Sequence, residues 1–115
     1  MQLLTQCQTY DLVENGKANK ASHGSKDFMP VVKLFTPWAG ATWLLSELDP
    51  DDNDIAFGLC DLGQGTPELG YVSLAELRDL RGPGGLTVER DLFFKADKTL
   101  QAYADEAHSN GYIRA

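Results

Sequence analysis

The chain has 115 residues, of which 43% are hydrophobic and 10% aromatic; this composition suits one folded domain and excludes a disordered chain. No apolar run approaches the ~20 residues of a membrane-spanning helix, and the first residues lack the pattern of a secretory signal. We therefore expect a cytoplasmic protein without membrane contact. A net charge of −7 also disfavours direct binding to nucleic acid.

The first predicted element is a helix near residues 5–18. Thr5 is a suitable N-cap, and the apolar side chains that follow the helical period would share one face. These are Leu3, Cys7, Tyr10 and Val13. The Asn15-Gly16 pair is expected to weaken this helix or end it early. The polar residues 17–27 are predicted to form a flexible loop.

Apolar residues in alternation, separated by short turns, predict a sheet. The predicted strands cover residues 31–36, 42–48, 54–62, 68–72 and 86–94. Turns this short between the first four strands require antiparallel neighbours. In the second strand, Trp43, Leu45 and Glu47 should share one face; in the third, Phe57 and Leu59 should share one.

Two further helices complete the predicted fold. Ser73 and Glu76 have the spacing of a capping box, which begins a short helix near residues 73–81. Asp97 is expected to cap a last helix near residues 97–110. The fold class is therefore α+β, a single domain over residues 1–115 with a four- to five-stranded, mostly antiparallel sheet. The predicted core consists of Trp43, Phe57, Leu59, Leu69, Leu74, Leu77, Leu92 and Leu100.

The negative charge is concentrated in the middle of the chain. Between Leu34 and Leu77 there are eight acidic residues and no lysine or arginine, whereas the flanks are nearly balanced. We call this segment the acidic block, and its candidate binding residues are Asp49, Asp51, Asp52, Asp54, Asp61 and Glu68. Most of the block, with Glu76, should be exposed on one end or face, because burying unpaired carboxylates is costly. Such a face favours a partner protein with a cationic surface; the alternative is an acidic edge that only keeps the protein soluble.

Metal and cofactor binding have weak support. The run from Asp49 to Asp54 superficially resembles a calcium loop, but Asp54 stands where that loop needs glycine and Cys60 where it needs glutamate. The residues that could bind zinc lack paired spacing. They are Cys7, His23, Cys60 and His108. We predict no cofactor, no metal and two buried free thiols.

A small carboxylate-dependent enzyme is the alternative to a binding protein. Two carboxylates in a partly apolar cleft could divide acid and base roles between them. The candidate acids are Glu47, Glu68, Glu89 and Asp91, and Trp43 and Tyr71 would complete a pocket. No serine lies in a Gly-x-Ser-x-Gly elbow. Convergence of these acids would favour an enzyme; dispersal over an exposed face would favour binding.

Several long motifs occur in order along the chain. They are Pro30–Pro37, Ala41–Leu45, Asp54–Gly63, Pro67–Leu77 and Val88–Leu92. With these motifs the chain resembles, over nearly its whole length, a bacterial family known as domain of unknown function 2958. The resemblance implies carriage by plasmids, conjugative elements and phages, and it offers no catalytic residues. We therefore expect an accessory protein of a mobile element that acts by protein–protein interaction. In the sharper version it is anti-defence: its acidic face occupies a nucleic-acid-binding protein of a restriction or CRISPR system.

Overall fold

The computed structural model describes residues 2–115 and has a five-stranded antiparallel sheet with helices on both faces. The elements are α1 (Gln6–Ala21), β1 (Val32–Phe35), β2 (Thr42–Asp49), β3 (Asp52–Asp61), β4 (Glu68–Ser73), α2 (Leu74–Asp79), a single 3-10 turn (Pro83–Gly85), β5 (Glu89–Arg90) and α3 (Leu100–Asn110). The predicted α+β class is confirmed. None of the helices in residues 2–115 is both long and apolar enough to cross a bilayer.

The sheet order is β4-β3-β2-β1-β5, so the last strand does not continue the meander. After β4 the chain passes through α2 and returns to the opposite edge, where β5 pairs with β1. The strand predicted over residues 86–94 is wrong in length, because only Glu89–Arg90 form β5. Before it, Gly84 and Gly85 have positive φ and turn the chain; after it, Phe94 donates a backbone hydrogen bond to the Asp91 carbonyl.

The first helix is longer than predicted. Gly16 does not interrupt α1 but lets it approach β2: a Cβ atom at this position would lie 1.9 Å from the Leu48 carbonyl oxygen. Residues 17–21 therefore belong to the helix, and the loop comprises residues 22–27. The mobility of that loop stays a prediction.

Two hydrophobic clusters occupy the two faces of the sheet. Leu12 of α1 packs with Trp43 and Leu45 on one face, and α3 packs with Leu44 and Leu59 on the other. Of the predicted core, the buried residues are Trp43, Leu59, Leu74, Leu77 and Leu100. Phe57 and Leu69 are only partly buried. Leu92 is 63% exposed, because the short β5 ends before it and leaves it on a turn.

The helix caps follow local chemistry. Thr5 and Gln8 form a reciprocal capping box at α1, and the Ser73 hydroxyl accepts from the Glu76 backbone N–H at α2. The predicted cap of the last helix is wrong by two residues. Thr99 caps α3 through the Ala102 N–H, while Asp97 accepts a 2.9 Å hydrogen bond from the Tyr103 hydroxyl.

Candidate functional site

A β-bulge in β2 determines which face carries Glu47. Leu45 pairs with Gly58 and Glu47 pairs with Phe57, so Ser46 is an extra residue in β2. A bulge of one residue moves the following side chains to the opposite face. Glu47 therefore lies on the side of Phe57 and α3. Its predicted place beside Trp43 and Leu45 is wrong, because both of these pack under α1.

Glu47 lines a cavity of about 630 Å³, which we call the Glu47 cavity. Its walls come from the C-terminal end of α1, the 22–27 loop, the β2–β3 hairpin, strands β3 and β4, and the start of α3. The apolar wall consists of Phe57, Leu69, Tyr71 and Leu100. The polar residues at the base and mouth include Asn19, Lys20, His23, Glu47, Asp49 and Asp51.

Asn19 connects the Glu47 carboxylate to the loop. Its Nδ2 donates to Glu47 Oε2 over 2.6 Å and to the Lys26 carbonyl over 3.2 Å, and its Oδ1 accepts from the Lys26 N–H over 2.9 Å. One turn earlier, Asn15 Nδ2 donates to the Ser46 carbonyl over 2.9 Å and so holds the bulge. Burial raises the pKa of Glu47 above its ordinary value of 4.5, while the hydrogen bond from Asn19 acts in the opposite direction.

Three carboxylates of the β2–β3 turn, Asp49, Asp51 and Asp52, are exposed. We call them the hairpin acids. Asp49 Oδ1 accepts from the Asp51 N–H over 2.9 Å, so part of their role is to hold the turn. Lys20 of α1 forms an ion pair with Asp51, which places one cation among the acids. Both side chains of that pair are mostly exposed, so the pair adds little to stability.

An aromatic surface leads from the cavity to the edge of the sheet. Tyr71 lies on the edge strand β4 and is 74% exposed. Its ring centroid lies 5.1 Å from that of Phe57, with the planes inclined by 57°. Because Glu47 pairs with Phe57, and Phe57 with Tyr71, these three residues form one row across β2, β3 and β4.

The acidic block is divided between the two ends of β3. The hairpin acids lie at its start, whereas Asp61 and Glu68 lie at its other end, roughly 30 Å away for a strand of this length. The prediction of one acidic end or face is therefore wrong. Exposure is confirmed for Asp49, Asp51, Asp52, Glu68 and Glu76.

Two acids of the block have structural roles instead. Asp61 is only 3% exposed, and its two oxygens accept backbone hydrogen bonds from Gly63 (2.8 Å) and Ile113 (3.1 Å). Asp54 accepts from the Ser73 hydroxyl (2.5 Å) and the Ala75 N–H (2.8 Å) at the start of α2. The Ser73 hydrogen bond is the main reason that the pKa of Asp54 lies below its ordinary value.

The four candidate catalytic acids do not converge. Glu68 lies on the edge strand β4 and Glu89 on the opposite edge strand β5, four strand spacings or roughly 19 Å apart. Asp91 lies 3.4 Å from the Lys33 ammonium group, away from the Glu47 cavity. Trp43 is buried under α1. Of the predicted pocket, only Glu47 and Tyr71 are brought together.

Sequence reasoning missed Asn15, Asn19 and the loop as parts of the site. Their signal was present: two asparagines four residues apart share one face of a helix, and an asparagine on a helix is suited to satisfying backbone groups of a neighbouring segment. Both thiols are free, but the prediction that both are buried is wrong: Cys60 is half-buried and Cys7 is exposed. The helix packs on the sheet through Leu12 and Gly16, and Cys7 and Tyr10 of the predicted apolar face are turned to solvent. Within residues 2–115, no three His, Cys, Asp or Glu side chains are grouped to hold a metal ion.

No curated protein and no solved structure matches this chain. A family model, described as a protein of unknown function (DUF2958), matches residues 3–114, which is nearly the whole chain. On this match, and in agreement with the motifs in its sequence, the chain belongs to the DUF2958 family.

Proposed function

We propose that this protein binds a cationic segment of a partner protein and that the Glu47 cavity is the main contact. The observation that carries the proposal is a half-buried carboxylate behind an apolar wall, with Asp49 and Asp51 at the mouth. A lysine or arginine side chain has the matching chemistry: an apolar stem packs against Phe57 and Leu69, and the cationic head meets Glu47.

The charge of the whole chain supports the same partner class. A net charge of −7, with the hairpin acids beside the cavity, attracts a basic segment before contact. Within the cavity, a partly buried carboxylate interacts with a cation more strongly than a fully hydrated one does. Association should therefore depend on the hairpin acids, and retention on Glu47.

The wider context of this proposal is an accessory role in a mobile genetic element, as the family resemblance implies. A nucleic-acid-binding protein of host defence would present the required cationic surface. Because Asp61 is buried and Glu68 lies at the far end of β3, an anti-defence role would depend on the hairpin acids and Glu47 rather than on a continuous row of charges. The carboxylate-enzyme alternative has less support, since Glu68, Glu89 and Asp91 lie outside the cavity.

The test uses a fluorescent oligolysine peptide and two pairs of charge-matched variants. Glu47→Gln is compared with Glu14→Gln, and Asp51→Asn with Asp79→Asn; each pair removes the same charge inside and outside the cavity. We expect Glu47→Gln to weaken binding about tenfold, a loss of about 1.4 kcal/mol, with Glu14→Gln close to the native protein. Equal losses within each pair would contradict the proposal, because only the total charge would then matter.

A further inference from the structure

The aromatic end of the Glu47 cavity meets an unpaired edge of the sheet. We infer that the free edge of β4 pairs with an extended segment of the partner protein, and that an arginine of this segment lies across Tyr71 and Phe57 toward Glu47. This inference rests on the proposed function and adds the binding mode and the identity of the cationic residue. Strand addition supplies affinity through main-chain hydrogen bonds and specificity through alternate side chains.

The β4 strand has the features of an edge that is open to pairing. It pairs with β3 on one side, in unbroken register from Ile55↔Ser73 to Cys60↔Glu68, and no strand formed by residues 2–115 lies on its other side. Edge strands are commonly protected by charged side chains, especially lysine, by a proline, by a bulge or by short length. The one charged side chain of β4 is Glu68, at its first residue. Residues 68–73 contain neither lysine nor proline, and no bulge interrupts them. The opposite edge differs, because β5 has only two residues.

The side chains of β4 leave room for a neighbour on both faces. Leu69 and Tyr71 line the cavity, whereas Gly70 lies on the other face. A Cβ atom at Gly70 would have no atom within 4 Å, so this face of the edge is open. An added strand would therefore have open space on the face of Gly70 and would contact the exposed ring of Tyr71 on the face of the cavity.

The row that crosses the sheet selects arginine. A residue of the added strand opposite Tyr71 would extend the row Glu47–Phe57–Tyr71 by one strand. It would lie three strand spacings, or about 14 Å, from Glu47. An extended arginine side chain covers only part of that span, so its planar guanidinium group would stack on the Tyr71 and Phe57 rings and face Glu47 from there. The charge at the end of the row then complements Glu47.

Charge also distinguishes this occupant from a second copy of the chain. A second copy would present its own Glu68–Ser73 edge, which contains no basic residue. Two chains of net charge −7 would also repel one another. A basic segment of another protein satisfies both the free backbone and the carboxylates. Self-association through β4 is therefore an outcome that would contradict the inference.

The probe is a short peptide, blocked at both ends, in which threonine and valine surround one central arginine. Two matched peptides carry lysine or citrulline at that position; citrulline keeps the shape of arginine without its charge. We expect the arginine peptide to bind about tenfold more tightly than the citrulline peptide, with lysine between them. Replacing Tyr71 with alanine should reduce the advantage of arginine, because the stacking surface is lost.

Amide hydrogen exchange measured by NMR tests the strand addition directly. When the arginine peptide binds, the β4 amides that face away from β3 should exchange at least about fivefold more slowly, while the amides that face β3 are protected already. Binding that depends on Glu47 but leaves β4 exchange unchanged would overturn the inference and leave the proposed function intact. Binding of oligolysine but not of the arginine peptide would do the same. If neither peptide binds, both proposals fail. Protection of β4 that grows with protein concentration in the absence of peptide would assign the edge to a second copy.

Discussion

At the scale of single residues, Glu47 is the position where burial, charge and the cavity coincide. Its carboxylate is half-buried, receives one hydrogen bond from Asn19, and has a raised pKa because of burial. A carboxyl whose pKa is higher in the folded than in the unfolded state makes the folded protein bind protons more tightly. Because of Glu47, the free energy of unfolding therefore falls as pH rises from 4.5, the ordinary pKa of this side chain, through its higher pKa in the folded protein.

Glu47→Gln should remove this pH dependence. The amide keeps an oxygen for the Asn19 hydrogen bond and carries no charge to be desolvated. We expect the free energy of unfolding of the variant, relative to the native protein, to be higher at pH 7 than at pH 4. Urea denaturation at both pH values measures this difference. A difference that is equal at the two pH values, or larger at pH 4, would contradict the assigned environment of Glu47.

Gly16 tests the packing of α1 on the sheet. In Gly16→Ala, the new Cβ would lie 1.9 Å from the Leu48 carbonyl oxygen, so the helix must move away from β2. We expect a loss of about 1–3 kcal/mol in the free energy of unfolding, despite the better helix propensity of alanine. Gly70→Ala is the control, because the position is open and its φ is not positive. A variant at Gly16 as stable as the native protein would show that α1 is not seated on β2 in this way.

At the scale of elements, most of the fold could be predicted and the site could not. The short turns predicted the antiparallel meander, and Thr5 and Ser73 were recognisable as caps. The bulge was not predicted, because no glycine marks the extra residue in Leu44-Leu45-Ser46-Glu47-Leu48. The only trace of it in the sequence is the adjacent polar pair Ser46-Glu47, which interrupts the alternation of the strand. The extra residue moved Glu47 across the sheet. The prediction that Gly16 weakens or ends α1 was wrong for another reason. In a sequence, a glycine that lets a helix approach a strand closely cannot be distinguished from a glycine that ends the helix.

The start of α2 offers a prediction at this scale. The Ser73 hydroxyl accepts from the Glu76 N–H and donates to Asp54, so Ser73→Ala removes the cap and the partner of a carboxylate together. We expect a loss of about 1 kcal/mol in the free energy of unfolding, as for other N-cap serines. Ser109→Ala, at an exposed position in the last turn of α3, should change stability little. Equal effects of the two substitutions would contradict the cap.

The pH dependence of this cap has a defined sign. The pKa of Asp54 is lowered in the folded protein, chiefly by the Ser73 hydrogen bond. The stabilisation of the folded protein by Asp54 is therefore fully present above pH 3.8, the ordinary pKa of this side chain. It is lost as pH falls through the lower pKa of Asp54 in the folded protein. The penalty of Ser73→Ala should accordingly shrink in strong acid. A penalty in urea denaturation that stays constant down to low pH would show that Asp54 does not contribute.

At the scale of the whole molecule, the residues of the acidic block have three separate roles. Asp61 and Asp54 hold the turn after β3 and the start of α2, and Glu68 and Glu76 are solvent-exposed charges. The hairpin acids remain: Asp49 and Asp51 line the Glu47 cavity, and Asp52 follows them in the same turn. Charge composition favours a cationic partner, which stays a prediction. The assignment of each acid to a role required the topology, which places the two ends of β3 far apart.

We propose that the Glu47 cavity and the hairpin acids together recognise a cationic segment of a partner protein. The most direct measurement is the association rate of the arginine peptide with two double charge reversals, at low and high salt. One reversal is at Asp51 and Asp52, and the other is at Asp11 and Asp79, which are exposed and lie outside both the cavity and β4. Both change the net charge equally, and Asp54 is left in place because it caps α2. We expect a rate about tenfold lower for the hairpin reversal at low salt, a smaller difference at high salt, and a nearly native rate for the other reversal. Equal rates for the two reversals at low salt would mean that only the total charge matters and would contradict recognition by the hairpin acids.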